Sequence, residues 1–87
     1  MNIQDEIEKL KDRDTPIIKL SDGSEERYGF IRREKDYVVF YTIEYLKLDM
    51  SLRQTLAEET EESLINKGYI KMIPKESIKG IFSFQKR

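Results

Sequence analysis

Hydrophobic and polar positions change period several times along the chain, and each change marks an element. Between residues 2 and 13, Ile3, Ile7 and Leu10 stand at i, i+4 and i+7 on an otherwise charged segment, with Asn2 placed to cap it. That spacing predicts a short amphipathic helix. Pairing of Asp5 with Lys9 across one turn adds only about 0.2–0.5 kcal/mol, so the helix must hold by docking its stripe. Thr15, ahead of Pro16, is pushed out of helical angles, which closes the helical segment within residues 1–14.

The period then falls to two. Ile17–Leu20, Arg27–Arg33 and Tyr37–Thr42 read as three strands across residues 16–42, the first two joined by Ser21-Asp22-Gly23-Ser24, whose Asp-Gly pair tolerates the positive φ of a tight hairpin. In the third strand Val38 and Phe40 alternate with Tyr37, Val39 and Tyr41, so both faces are apolar. A strand of that kind is either covered on both sides or lies at a subunit contact. Gly29 marks a bulge or sharp bend in the second strand.

Residues 43–50 fit either a continuation of the third strand or a helical turn. Ser51 and Gln54 then have the spacing of a capping box, and Leu52, Leu56, Ala57 and Leu64 form an apolar face ahead of Gly68. A second helix is predicted over about residues 52–66, within an insert spanning 43–68. A fourth strand over Tyr69–Ile73, a turn at Pro74–Ser77 and a fifth strand over Ile78–Phe84 fill residues 69–84. The predicted fold class is mainly β with two helices (α+β). It is a five-stranded, strongly bent antiparallel small barrel with an N-terminal helix and a helix inserted between strands three and four, all in one domain.

Composition sharpens this. Eighty-seven residues, 38% hydrophobic and 38% charged, supply one modest core and a charged surface. With neither Cys nor His, the chain lacks a disulfide framework, a thiol nucleophile, the commonest metal ligand and the commonest general base. The absence of bridges fits a reducing interior, and no apolar run approaches the roughly 20 residues of a membrane span, so a cytoplasmic location without membrane contact is expected. Net charge is −1, but residues 49–68 carry two cations against five carboxylates and residues 69–87 carry five cations against one. An acidic insert is followed by a basic end.

Ile18-Lys19-Leu20-Ser21-Asp22-Gly23, then Gly29-Phe30-Ile31, then Asp36-Tyr37-Val38-Val39-Phe40 resembles the first motif of the Sm-like family: a strand, an Asp-Gly turn, a bent glycine strand and an Asp-headed third strand. Ile73-Pro74 through Ser77-Ile78-Lys79-Gly80-Ile81 is similar to that family's closing turn, most like that of the bacterial Sm-like RNA chaperone. The resemblance implies a small SH3-like barrel, a ring built by edge pairing, and RNA as ligand.

Candidate chemistry follows the same lines. The serines have no His to activate them, the glycines form no phosphate-binding fingerprint, and no carboxylate spacing suggests a metal pair, so no catalytic residue, metal or cofactor is expected. RNA contact needs cations beside stacking rings, and Arg32, Arg33, Lys35, Tyr37, Lys75 and Lys79 are the candidates. The row Tyr37, Val39, Tyr41, Ile43 and Tyr45 is the candidate protein interface, more apolar surface than one small barrel should expose. Either the inserted helix covers it with Leu52, Leu56 and Leu64, or a second copy does. The expectations are a non-enzymatic Sm-like module that contacts RNA as an oligomer, or a protein-interaction module without a nucleic-acid role.

Overall fold

Asn2 caps the first helix as its spacing suggests. Its Oδ1 accepts from the Gln4 N–H at 2.7 Å, opening α1 (Ile3–Glu8) in the computed structural model, which describes residues 2–82. The helix stops well short of residue 13. Asp14 Oδ2 takes the Lys11 N–H at 2.9 Å, Arg13 turns to φ 75°, and the Arg33 guanidinium donates to the Leu10 carbonyl at 2.7 Å and the Ile7 carbonyl at 3.3 Å. These side chains take over backbone groups that a continuing helix would have paired internally. The stripe docks as expected, with Ile7 and Leu10 buried and Ile3 packed beside them.

Six strands follow in place of the expected five: β1 (Ile17–Leu20), β2 (Glu25–Arg27), β3 (Gly29–Arg33), β4 (Tyr37–Tyr41), β5 (Ile70–Pro74) and β6 (Ile78–Phe82). The second expected strand is broken at Tyr28. Its N–H turns to the Pro16 carbonyl and the Phe30 N–H to the Asp14 carbonyl, both at 3.0 Å, while the Tyr28 ring is buried 5.3 Å from that of Phe40. The hairpin between β1 and β2 turns through Gly23 at φ 90°, with Asp22 accepting from the Ser24 N–H and hydroxyl.

The strands form two antiparallel three-stranded sheets, in the orders β2-β1-β6 and β3-β4-β5. Among the described residues the ladders remain two separate sheets. β4 lies at the centre of the second, paired through Phe30↔Phe40 on one side and Val39↔Met72 on the other, with Ile31 the bulged residue of β3. A 3₁₀ turn at Lys75–Ser77 carries the chain from β5 into β6. The part of the fifth expected strand at Ser83 and Phe84 lies outside the described residues.

The insert also divides further than its apolar pattern suggests. One long helix is replaced by α2 (Ile43–Leu46), α3 (Met50–Leu56) and α4 (Glu61–Asn66), which settles residues 43–46 as helix. Asp49, two residues before Ser51, is the cap of α3, its Oδ1 accepting from the Leu52 N–H at 2.9 Å. Thr60 caps α4 through the Ser63 N–H at 3.1 Å, breaking the helix that Leu56 and Leu64 would otherwise share.

Two apolar clusters result. Val38 and Phe40 of β4 face inward with Ile7, Ile18, Tyr28, Ile73 and Ile78. Val39, on the opposite face, meets Leu64 and Ile70, with Leu56 and Tyr69 against them. β4 is therefore covered on both sides within one chain, and Leu52 stays half exposed, outside the cover it was expected to supply.

Candidate binding cleft

The cations expected to meet RNA are mostly engaged with the fold itself. Arg32 forks to Glu61 on α4, one arm at 3.0 Å, and its Nε pairs with Glu34. That double hydrogen bonding holds the Glu61 carboxyl below its ordinary range and the Arg32 guanidinium above its own. Arg33 is tied to the end of α1 by two carbonyls and by Glu8 at 3.3 Å, with its guanidinium 5.3 Å from the Phe30 ring centre. Lys75 approaches the same Glu8 at 3.7 Å. Lys35 and Lys79 remain at the surface, and Tyr37 packs against the outer cluster.

The expected interface row is likewise taken up. Val39 is fully buried, and Tyr37, Tyr41, Ile43 and Tyr45 are half-buried beneath or within the insert. The rings of Tyr41 and Tyr45 stack in parallel, 4.0 Å between centres, and Tyr69 meets Tyr45 edge-on at 6.2 Å. This removes the contiguous apolar strip from which a subunit contact was expected.

A concave feature lies at one end of the stacked pair. A cleft of about 470 Å³ opens where the loop before β1 faces α2 and α3. It is lined by Asp12, Arg13, Asp14 and Thr15 of that loop, by Gly29, Phe30, Ile31 and Tyr41 of the sheet, and by Tyr45, Leu46 and Arg53 of the insert. Gly29 shapes it: a Cβ there would stand 3.1 Å from the Leu46 side chain, so glycine lets α2 close on the bend.

Arg53 is the charged residue that the insert contributes to this lining. One terminal nitrogen donates to the Leu46 carbonyl at 2.9 Å, the guanidinium lies 5.1 Å from the Tyr45 ring centre, and its Nε is buried without a hydrogen-bond partner among the described residues. Burial first, and then the neighbouring Tyr45, pushes the Tyr41 phenol above its ordinary pKa. Asp14 meanwhile anchors the loop through Lys11.

Comparison with protein-family models, curated proteins and solved structures finds no match in any of the three. The site is thus described by its own geometry. Among the described residues no group of three or more His, Cys, Asp or Glu is placed to hold a metal ion, and no helix is long and apolar enough to cross a membrane.

The sequence pattern did not reveal this cleft. Arg13 and Arg53 stand forty positions apart, and each alone reads as an ordinary surface cation. Tyr41 and Tyr45 were singled out, but as alternating strand positions, because their stacking depends on α2 being helical. The one local signal was Gly29.

Proposed function

We propose that the chain is a non-enzymatic binding module whose partner is another protein, its two sheets acting as halves of a small, strongly bent barrel of the Sm-like kind. Continuity supports the barrel reading: the chain passes from one sheet to the other at Tyr28, and again through the 3₁₀ turn.

The choice of partner rests on a contrast. Arg32, Arg33 and Lys75 are paired internally, whereas Met50 (66% exposed), Leu52 (50%), Phe82 (49%) and Met72 (43%) stand in water. Met72 belongs to β5 and Phe82 to β6, each an edge strand of its sheet. An edge offers unpaired backbone groups to an extended segment of a partner, and an apolar side chain beside it adds affinity. Nucleic-acid binding draws instead on several unengaged cations beside stacking rings.

Selection of peptides from a displayed library against the full chain tests this. The expected outcome is peptides whose contacts map to β5 or β6 and whose binding is lost in Met72→Glu, with no binding to an RNA pool at low salt. RNA binding that falls steeply with salt and weakens in Lys35→Ala and Lys79→Ala would overturn the reading in favour of RNA.

A further inference from the structure

Three observations meet in the cleft between the 12–15 loop and the insert, and the two sheet edges account for none of them. The first is the Arg53 guanidinium, which lines the cleft and is fixed in place by the Leu46 carbonyl. Its Nε is buried and closed to the cleft, so a ligand would meet the terminal nitrogens rather than Nε. The second is backbone strain. Arg13, which also lines the cleft, holds φ 75°, a conformation that costs a residue with a Cβ and recurs where function fixes a side chain.

The third is the arrangement of charge. Two guanidinium groups, Arg13 and Arg53, and two carboxylates, Asp12 and Asp14, line one cleft over an apolar floor. A phosphate dianion entering it would meet both carboxylates, and a lone amine would meet both guanidinium groups. A molecule with one carboxylate and one ammonium, set close together, is matched on both counts.

We propose that this cleft binds a small zwitterion of the α-amino acid class with an apolar or aromatic side chain. The carboxylate lies towards Arg53 and Arg13, the ammonium towards Asp12 and Asp14, and the side chain over Phe30 and Ile31. The volume, about 470 Å³, falls within the range of about 300–1,000 Å³ common for small-molecule sites and accommodates one aromatic amino acid. Tyr41, a phenol and neutral at about pH 7 like any tyrosine, adds no third anion to the lining. This site is separate from the edge strands, so it stands or falls independently of a protein partner.

The test is an NMR titration of the full chain with three probes: phenylalanine, hydrocinnamate, which keeps the carboxylate alone, and phenethylamine, which keeps the ammonium alone. Phenylalanine is expected to move the amides of Gly29, Ile31 and Leu46 saturably, with each half-ligand at least about tenfold weaker. Asp12 is exposed, so Asp12→Asn leaves the fold intact; it should weaken phenylalanine about tenfold and leave hydrocinnamate unchanged. Arg53→Lys, which keeps a charge but loses the fork, should weaken both. Hydrocinnamate binding as tightly as phenylalanine would overturn the zwitterion. So would the absence of saturable shifts in these amides at about 10 mM phenylalanine, a concentration well above the millimolar affinities at which weak sites fill.

Discussion

Arg33 joins three parts of the molecule through one side chain. It leaves β3, crosses the Phe30 ring, and closes the end of α1 on the Ile7 and Leu10 carbonyls beside Glu8. Hydrogen bonds from a charged donor contribute about 1.5–3 kcal/mol each, and since the Ile7 carbonyl also accepts from the Leu10 N–H, Arg33→Ala should destabilise the chain by roughly 1–3 kcal/mol. Arg33→Lys should recover only part of that, since one ammonium cannot serve both the two carbonyls, which Nη1 reaches, and Glu8, which Nε reaches. Urea unfolding reads both, with the slope unchanged; an unaltered midpoint for Arg33→Ala would show that α1 holds without this tie. The sequence marked Arg33 as a cation near aromatic residues, which is what it is. It did not say whether the charge would face solvent or the chain's own carbonyls, because that depends on where α1 stops, and α1 stops through contacts from Asp14 and Arg33 that lie outside the helix.

The same limit governs the elements. The alternation in β4, the capping Asn2, the Asp22-Gly23 hairpin and the turn after Pro74 were all legible, since each is decided within a few residues. The break at Tyr28 and the division of the insert were not. Asp49 outcompetes Ser51 as the cap of α3, Thr60 starts a separate helix, and two short helices place Leu56 and Leu64 against Val39 where one straight helix was expected. α4 (Glu61–Asn66) is held at its start by Arg32, and this has a pH consequence. Glu61 has a folded pKa below its ordinary value of 4.5 because Arg32 hydrogen-bonds its charged form. The stabilisation is therefore present above about pH 4.5 and is lost as pH falls through the depressed folded value. Glu59, bonded to Ser63 and Lys67, shifts in the same direction on the approach to this helix. The exposed Arg32–Glu61 pair contributes at most about 1 kcal/mol, so amide protection in α4, corrected for intrinsic exchange, should fall by up to about fivefold on acidification, ahead of β4. Arg32→Ala should lower that protection at neutral pH and reduce its fall in acid to the part that Glu59 contributes. Protection that drops equally in α4 and β4 would place the acid-sensitive group elsewhere.

For the whole molecule, the consequence of the insert is a second apolar cluster on the outer face of a sheet whose inner face already holds the main core. Val39 and Ile70 are covered on that side by Leu64, Leu56, Ile31 and the tyrosines around them. The sequence showed that the row from Tyr37 to Tyr45 needed a cover and left open whether the insert or a second copy supplied it. With the insert in place, light scattering at micromolar concentration should give a mass near 10.4 kDa. Leu64→Glu should change that. A carboxylate at a position only 9% exposed cannot remain charged among Val39, Ile70 and Tyr41 without lifting α4 away, since an unpaired buried charge costs more than the helix gains by docking. The uncovered row would then meet another copy, and the mass should rise with concentration while the strand signal in circular dichroism persists. Leu64→Ala gives the milder case: a loss of about 2–5 kcal/mol, characteristic of a cavity left by truncating a buried leucine, and no change in mass. A parent chain already scattering as a multiple would mean that an edge strand, with Met72 or Phe82 beside it, joins copies while the insert stays closed, and Met72→Glu would then return the mass to that of one chain.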